Sequence, residues 1–281
     1  MKTGLVMEGG AMRGIFTAGV TDVLMENNIE FDGAVGVSAG ACFGCNYKSR
    51  QRGRAIRYNL RFCRDKRYCS VFSFLTTGNM FGAEFCYHTI PEWLDIFDLA
   101  AYRSNPMKFF VVCTDVETGK PVYKQLKTAN RHDLEWMRAS ASMPLASKIV
   151  KLDGRKLLDG GISDSIPLRF MEKSGYDKNV IILTQPRNFV KRQSKSIHLI
   201  KAAYKKYPEL VKACESRPKM YNDELKYIRR SEADNRAFVI APDEPLPIGH
   251  IEHDQDKILE VYRAGRKAAS KKLDALMDFF I

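Results

Sequence analysis

Residues 4–40 read GLVMEGGAMRGIFTAGVTDVLMENNIEFDGAVGVSAG, and the fold class can be inferred from them. The apolar run at 4–7 ends in a glutamate and two glycines, and apolar residues then recur at helical spacing over 12–26. A second short apolar run, at 33–37, precedes another stretch compatible with a helix. Two strands that flank a helix form a βαβ unit, and such units build parallel sheets. The stretch therefore predicts an α/β fold.

The remainder of the chain continues this pattern. Two β-hairpins are predicted, from strands 109–116 and 122–124 and from strands 149–152 and 156–158, and two further buried strands are predicted at 179–183 and 237–241. Residues 50–105 are mostly helical in composition, so we expect them to leave the sheet. Residues 187–230 and 254–280 are also predicted to be helical, the second with one apolar stripe that comprises Ile258, Val261, Tyr262, Leu273, Leu276 and Met277.

Composition excludes several classes of protein. The 281 residues carry 45 Lys and Arg against 33 Asp and Glu, and 45% are hydrophobic, which is enough to bury a core and excludes intrinsic disorder. No apolar run approaches the about 18 to 20 residues of a membrane-spanning helix. The N-terminus has no signal-peptide core, and seven scattered cysteines fit reduced thiols, so a cytoplasmic location is predicted.

A candidate nucleophile lies at the end of the second predicted strand. Gly36-Val37-Ser38-Ala39-Gly40 has the form G-x-S-x-G between a strand and a helix, which is the context that this motif requires. A tight turn exposes the serine hydroxyl, and the helix that follows directs its N-terminal amides at any negative charge forming beside it. The alternative is an ordinary turn of small residues.

A second candidate element is the loop Glu8-Gly9-Gly10-Ala11-Met12-Arg13-Gly14, at the end of the first strand. Adjacent parallel strands would bring this loop beside Ser38, where free backbone amides could hold the oxyanion of a tetrahedral intermediate. The alternatives are a phosphate-binding loop or simply the start of a helix. Neither nucleotide-binding glycine spacing is present.

A nucleophilic serine needs a base, which is most often a histidine. The five histidines are His88, His132, His198, His250 and His253, and none follows a predicted strand beside glycines. Asp159 does, because Gly160 and Gly161 come directly after it at the end of a strand. Asp159 is therefore the best candidate base, although Asp-Gly-Gly is also compatible with a plain turn.

These motifs, in this order, resemble those of the patatin-like phospholipases, lipid acyl hydrolases that use a Ser-Asp dyad. The resemblance extends over about residues 2–175 and includes the segment ASASMP at 139–144, which resembles the one that precedes the family's catalytic aspartate. It implies a three-layer α/β sandwich with a mainly parallel central sheet. The chain departs from the family at Ala11, where a third glycine is usual and where a Cβ is unfavourable if φ is positive.

The resemblance also implies roles for individual residues. Ser38 would attack an ester carbonyl while Asp159 accepts its proton. The oxyanion hole would comprise Gly9, Gly10 and Ala11 with Arg13, and the motifs would be supported by Gly14, Gly36, Gly40, Gly160 and Gly161. It further implies a patatin-like catalytic domain at 1–186 with the helix-rich region 187–281 packed on it. Residues 50–105 would cap the site, and neither cofactor nor metal is predicted.

Several alternatives remain open. An α/β-hydrolase with a Ser-His-Asp triad or an acyl-carrier transacylase would also use a serine elbow, and a basic module could bind membranes or nucleic acid without turnover. Two basic segments suit an anionic membrane surface, and nucleic acid is not expected as a partner: the run of Arg50, Arg52, Arg54, Arg57, Arg61, Arg64, Lys66 and Arg67, and residues 187–206. Cys42-Phe43-Gly44-Cys45 is interpreted as two buried thiols.

Overall fold

Eight strands form one sheet in the computed structural model, which describes residues 1–281. The strands are β1 (Thr3–Met7), β2 (Gly33–Val37), β3 (Lys108–Asp115), β4 (Pro121–Gln125), β5 (Val150–Leu152), β6 (Arg155–Asp159), β7 (Lys178–Ile182) and β8 (Ala237–Ile240). Their order is β5-β6-β3-β2-β1-β7-β8, and β4 pairs with β3. The pairs β1/β2, β1/β7, β2/β3 and β7/β8 are parallel, so the predicted mainly parallel α/β sheet is confirmed.

Helices flank both faces of the sheet. They are α1 (Ile15–Glu26), α2 (Ala39–Lys48), α3 (Arg54–Phe62), α4 (Val71–Thr77), α5 (Leu99–Ser104), α6 (Arg131–Ser140), α7 (Leu168–Lys173), α8 (Ile197–Ala203), α9 (Pro208–Ala233), α10 (Gln255–Ser270) and α11 (Leu273–Phe280). Short 3₁₀ turns span Ala11–Gly14 and Gly160–Ile162, and Phe85–Leu94 forms a π-helix. None of these helices combines the length and the apolar character needed to cross a bilayer.

Alternation along the buried strands divides the core into two layers. Leu5 and Met7 of β1 pack into a cluster of 49 buried residues with α1, α2 and α10. Val6, between them, points to the other face and joins a cluster of 16 buried residues with α7 and α9. Because both faces are covered, β1 and β2 are buried almost throughout, as their apolar sequences require.

The pairing of β3 brings two strand ends together. Cys113 and Thr114 pair with both β4 and β6, so these two strands lie on opposite edges of β3. β2 also lies opposite β4, because Phe110 and Val112 pair with both. Hence β2 and β6 lie end to end along one edge of β3. Val37, the last residue of β2, and Asp159, the last residue of β6, therefore pair with consecutive residues of β3.

Three helical predictions differ from the structure. Residues 187–196 are not helical, and the segment 254–280 is two helices that break at residues 271–272. Met277 was expected on the apolar stripe but is 54% exposed, because α11 begins a new helix and the stripe does not continue in register. Helix α6 was not predicted. The division at 186/187 stays a prediction; β8 lies beyond it and completes the sheet by pairing with β7.

Candidate active site

Ser38 lies in the tight turn between β2 and α2. Its backbone has φ 54° and ψ −121°, a conformation that L-residues other than glycine seldom adopt. Its amide donates a hydrogen bond of 2.9 Å to Oγ of Ser140, at the end of α6. The side chain is largely buried, since the residue is only 7% exposed. The turn is thus held in a strained conformation by a partner from a distant part of the chain.

The two glycines of the turn are required by close backbone contacts. A Cβ on Gly36 would lie 2.5 Å from both Cα and N of Ala41, in the first turn of α2. A Cβ on Gly40 would collide with the carbonyl oxygen of Met7 at the end of β1. Glycine at both positions therefore lets α2 approach the ends of two parallel strands.

The glycine loop after β1 lies directly against this turn. A Cβ on Gly9 would be 2.8 Å from Cβ of Ser38 and 2.9 Å from the Val37 oxygen. A Cβ on Gly10 would be 2.6 Å from Oγ1 of Thr184. Ala11 has φ 50°, so the position where the chain departs from the family's glycine does adopt a left-handed conformation.

Glu8 anchors the glycine loop to the segment after β7 and to α9 through hydrogen bonds. Its carboxylate accepts hydrogen bonds of 2.7 Å from the Thr184 amide and from the Tyr221 hydroxyl, while the Thr184 hydroxyl donates to the Gly9 oxygen at 2.7 Å. Burial raises the pKa of Glu8, although both hydrogen bonds oppose that rise. The sequence analysis did not find these two partners. Thr184 follows a predicted strand end, which was a usable signal, whereas Tyr221 on α9 had none.

Asp159 ends β6 at the point where that strand meets β2. Val37 pairs with Val112 of β3, and Asp159 pairs with the next residue, Cys113. The carboxylate, in a residue 6% exposed, accepts a hydrogen bond of 2.8 Å from the Gly161 amide. This register brings the carboxylate to the turn that carries Ser38.

Burial raises the pKa of Asp159, and the groups around its carboxylate oppose this effect. The groups that lower the pKa are, in decreasing order of effect, the Ser38 side chain, the positive charge of Arg217, the Gly161 amide and the charge of Lys191. Gly160 must lack a side chain, since a Cβ there would collide with the Val112 oxygen. The strand register and the packing of Gly9 against Ser38 thus bring Ser38, Asp159 and the glycine loop close together, and their catalytic roles stay a prediction.

No histidine forms a hydrogen bond with Ser38. Nε2 of His88 is 2.9 Å from Oε1 of Glu135, and Nε2 of His132 is 2.7 Å from Oδ1 of Asp153. Nδ1 of His253 is 2.5 Å from the Cys63 oxygen. These three imidazoles therefore pair elsewhere. His250 lies closer to the site, since the charges of Arg13, Arg217 and Lys191 add to burial in lowering its pKa, but it forms no hydrogen bond with Ser38, which argues against the Ser-His-Asp alternative.

An apolar cavity of about 110 Å³ opens beside Ser38. Of its 20 lining residues, 17 are hydrophobic, and much of the wall comes from the 50–105 excursion, including Tyr58, Ile90 and Phe97. The one cation in the wall, Arg54, is 4% exposed and lies 3.3 Å from the Asp95 carboxylate. The cavity thus presents apolar surface next to the serine.

Most charge in the first basic run is neutralised within the chain. Five of its eight cations pair with carboxylates: Arg50 with Glu30, Arg52 with Glu26, Arg54 and Arg57 with Asp95, and Arg67 with Asp65. The run is therefore not a continuous free cationic surface. In the second segment, Lys191 lies near Asp159 instead of on an outer face.

The C-x-x-C thiols also line or adjoin the cavity. Burial raises the pKa of Cys42 to about 11 and that of Cys45 to about 12, so both stay protonated near neutral pH. Sγ of Cys42 lies 3.4 Å from the Tyr87 hydroxyl. No group of three or more His, Cys, Asp or Glu side chains is arranged to hold a metal ion.

Comparison with known proteins matches two parts of the chain to family models. Residues 5–171 match the model described as patatin-like phospholipase, and residues 207–281 match a domain of unknown function, DUF6363. The first match covers Ser38, Asp159 and the glycine loop. It ends before α9, which carries Tyr221 and Arg217.

Related sequences fall into two groups. An uncharacterized Escherichia coli protein, YjjU, is 29% identical over 94% of this chain and 75% of its own length. Lysophospholipase NTE1 of Meyerozyma guilliermondii is 29% identical, and lysophospholipase nte1 of Aspergillus oryzae is 27% identical. These two matches cover 61% and 63% of this chain but only 12% and 11% of the two lysophospholipases. VipD from Legionella pneumophila superimposes with a TM-score of 0.49 at 13% identity, over 98% of this chain and 67% of VipD.

Proposed function

Because the chain belongs to the patatin-like phospholipase family, we propose that it hydrolyses acyl esters of lipids through a dyad of Ser38 and Asp159. The observation that supports this most directly is the strand register, which pairs Val37, the neighbour of Ser38, and Asp159 with consecutive residues of β3, with both Ser38 and Asp159 buried. The two lysophospholipases among its relatives make phospholipids and lysophospholipids the first substrates to test.

In the acylation step, Oγ of Ser38 attacks the ester carbonyl carbon while Asp159 accepts the hydroxyl proton. The tetrahedral intermediate collapses, the ester C–O bond breaks, and the leaving alcohol takes the proton from Asp159. Burial raises the pKa of Asp159 towards the pH at which the enzyme works, which makes the carboxylate a better base than a solvated aspartate. The product of this step is an acyl ester of Ser38.

Deacylation uses the same groups in reverse order. Asp159 accepts a proton from water, the oxygen attacks the acyl carbon, and the proton returns to Oγ of Ser38 as the fatty acid leaves. In both steps the carbonyl oxygen becomes negative. We assign its stabilisation to the amides of Gly9, Gly10 and Ala11, with the charge of Arg13 nearby. Loss of one such donor typically costs about 10²- to 10³-fold in rate.

The apolar cavity supplies the acyl-chain site in this proposal. It contacts Ser38 and Ala11 at one end and is closed by aromatic and aliphatic side chains elsewhere. The single cation in its wall is neutralised, so an acyl chain would not displace an unpaired charge.

The proposal extends to a cytoplasmic enzyme that contacts membranes peripherally. All seven cysteines are free, the state that the reducing cytosol maintains. On α4, Val71 is 65%, Phe72 56% and Leu75 77% exposed. This helix lies between Cys69 and Phe81, which form an isolated β-bridge, and Phe81 lines the cavity. Exposed Lys66 and Lys148 flank it, so the surface suits an anionic bilayer.

The hydrolase assignment is tested by paired substitutions. Ser38→Ala and Asp159→Asn should each lower kcat/KM for p-nitrophenyl butyrate and for a defined lysophosphatidylcholine by at least about 10³-fold. Only Ser38→Ala should abolish labelling by a fluorophosphonate. The matched controls are Ser104→Ala and Asp243→Asn, both on exposed residues. Full activity of Ser38→Ala would show that the assignment is wrong.

The membrane contact is tested by flotation with anionic vesicles. Replacing Phe72 and Leu75 with serine should weaken vesicle binding by about 10²-fold, since each inserted side chain contributes at least about 1.5 kcal/mol. Leu199→Ser, which is 64% exposed on α8, is the control. Equal losses for the two variants would contradict a role for α4. Hydrolysis of soluble p-nitrophenyl butyrate should not change in either.

A further inference from the structure

Three cations next to the candidate dyad are not paired with a carboxylate. They are Arg13 of the glycine loop, Lys191 after β7 and Arg217 of α9, here called the cationic cluster. The Nε atoms of Arg13 and Arg217 are buried and have no hydrogen-bond partner. Nζ of Lys191 lies 4.6 Å from the centre of the Tyr221 ring and forms no ion pair. A buried charged donor without a partner is unfavourable unless a ligand satisfies it.

The three cations lie close enough together that their charges lower the pKa of Lys191 and of Arg13. Burial and then the charges of Arg217 and Arg13 lower the pKa of Lys191, to about 8. Burial lowers the pKa of Arg13, and the charge of Arg217 adds to that effect. A Cβ on Gly161 would lie 3.1 Å from an Nη of Arg217, which places this guanidinium beside the aspartate turn. Like charges this close repel one another, so the cluster is arranged to receive an anion.

The neighbouring carboxylates do not fill that role. Glu8 already accepts hydrogen bonds from the Thr184 amide and the Tyr221 hydroxyl. Asp159 accepts a hydrogen bond from the Gly161 amide. Neither carboxylate accepts a hydrogen bond from a cation of the cluster. The unused donor capacity is therefore available to a ligand.

We propose that Arg217 and Lys191, together with Arg13, bind the phosphate of the lipid headgroup next to the ester under attack. The proposal rests on the lipid hydrolase function proposed above and adds a subsite for a phosphodiester. Guanidinium groups bind phosphate oxygens through paired N–H donors, and an ammonium adds a point charge. Arg217 and Lys191 lie beyond residues 5–171, the part that matches the patatin-like model.

The location suits a lysophospholipid. Its phosphate is only a few bonds from the glycerol ester, so an ester carbonyl at Ser38 would bring the phosphate close to Asp159 and Gly161. None of the three cations lines the apolar cavity, although Ser38 does. The acyl chain and the phosphate would thus extend from the serine into different surroundings. A neutral ester has no phosphate, so it would gain no binding from this subsite.

The test compares two substrates that differ in the phosphate. Hydrolysis of 1-palmitoyl lysophosphatidylcholine and of 1-palmitoylglycerol is measured with the full chain and its variants. Arg217→Gln and Lys191→Gln should each lower kcat/KM at least tenfold more for the lysophospholipid than for the monoacylglycerol, as expected for a lost charged hydrogen bond. Arg217→Lys, which keeps the charge, should show a smaller difference. The control is Lys212→Gln on an exposed position of α9.

Three outcomes separate this proposal from its alternatives. Equal losses on both substrates would overturn the phosphate subsite while leaving the hydrolase intact. If Ser38→Ala remains active, the hydrolase proposal fails, and binding of glycerophosphocholine to that variant by calorimetry still tests the cluster. Weakening of that binding by Arg217→Gln supports the headgroup site. Inorganic phosphate that binds as tightly as glycerophosphocholine would identify a site for free phosphate and contradict the headgroup assignment.

Discussion

Two arginines near the candidate dyad differ in their partners: Arg54 is buried and paired, whereas Arg217 is partly buried and has no partner for its Nε. Arg54, in the wall of the apolar cavity, donates a hydrogen bond of 2.9 Å to Oδ1 of Asn46 and one of 3.1 Å to the main-chain oxygen of Asp95, and it also faces the Asp95 carboxylate. Arg217, in the cationic cluster, has a buried Nε with no partner. The same group is therefore structural where the chain supplies its acceptor and is available to a ligand where it does not.

The two regions would also bind different parts of a lipid. A paired arginine leaves the cavity effectively uncharged, which suits an acyl chain. Unpaired cations on the other side attract negative charge and lower the pKa of the neighbouring aspartate. Substitutions of the paired arginine should therefore mainly lower stability, whereas substitutions in the cationic cluster should mainly weaken ligand binding.

The largest expected contrast is in the free energy of unfolding. Arg54→Leu removes an arginine that satisfies both Asp95 and Asn46, so we expect a loss of about 2 to 4 kcal/mol. Arg57 still pairs with the Asp95 carboxylate at 2.7 Å. The loss of stability should therefore be smaller than for a buried carboxylate left without any cation. Arg217→Leu removes no hydrogen-bonded partner; it relieves repulsion with Lys191 and Arg13 but also removes a charge that favours ionised Asp159, so stability should change little. Urea denaturation of the two variants measures both effects.

Equal destabilisation by both leucine substitutions would remove the distinction between the regions. Asn46→Ala provides a further check on the cavity side, since it deletes one acceptor of Arg54 without changing charge. It should cost about 1 kcal/mol or somewhat more, because a buried donor loses its acceptor.

The next effect concerns the acyl chain. Ala141 lines the apolar cavity, and Ala141→Phe would occupy part of its volume. We expect kcat/KM for a 16-carbon p-nitrophenyl ester to fall at least about tenfold relative to the 4-carbon ester, since lost apolar contact of a few methylenes is worth 1 to 3 kcal/mol. Ala101→Phe, on a partly exposed residue of α5 outside the cavity, serves as control. An unchanged ratio would mean that the chain binds elsewhere.

A smaller effect links the cluster to the dyad through pH. Asp159 must be ionised to accept a proton, so activity should rise with pH through its pKa, which burial places above the ordinary value. The charge of Arg217 lowers that pKa, and Arg217→Gln should therefore shift the acidic limb of kcat/KM to higher pH, even for p-nitrophenyl butyrate. Arg217→Lys should retain most of the wild-type profile. An unmoved limb in Arg217→Gln would indicate that its charge does not reach the aspartate.

The local parts of this site could be predicted from the sequence. Gly36 and Gly40 around Ser38, and Gly160 after Asp159, are required by close backbone contacts, and these glycines form recognisable motifs even where the contact is with a residue distant in the sequence. The meeting of Ser38 with Asp159 depends on a register between β3 and β6 that no local pattern specifies. The resemblance to a known family supplied that pairing instead.

The burial and the partners of the basic residues were harder to predict from the sequence. Arg54 and Lys191 lie in runs whose composition indicates exposed charge, yet one is buried beside Asp95 and the other approaches Asp159. Their positions follow from how the excursion and the C-terminal region pack, which net charge does not encode. Arg217 on α9 carried no signal at all, since it is one cation among many on a long polar helix.

The smallest expected effect tests the loop between the two regions. Ala11 lines the apolar cavity, and two residues later Arg13 belongs to the cationic cluster. Because Ala11 has φ 50°, Ala11→Gly should relieve about 1 kcal/mol of backbone strain, partly offset by the greater freedom of glycine in the unfolded chain. The expected net change is a stabilisation of at most about 1 kcal/mol by urea denaturation, with esterase activity retained. Ala129→Gly, at another alanine with φ 51°, is the matched control and should behave alike in stability. A clear loss of activity in Ala11→Gly alone would mean that the alanine itself positions the oxyanion amides, so that strain in this loop serves catalysis.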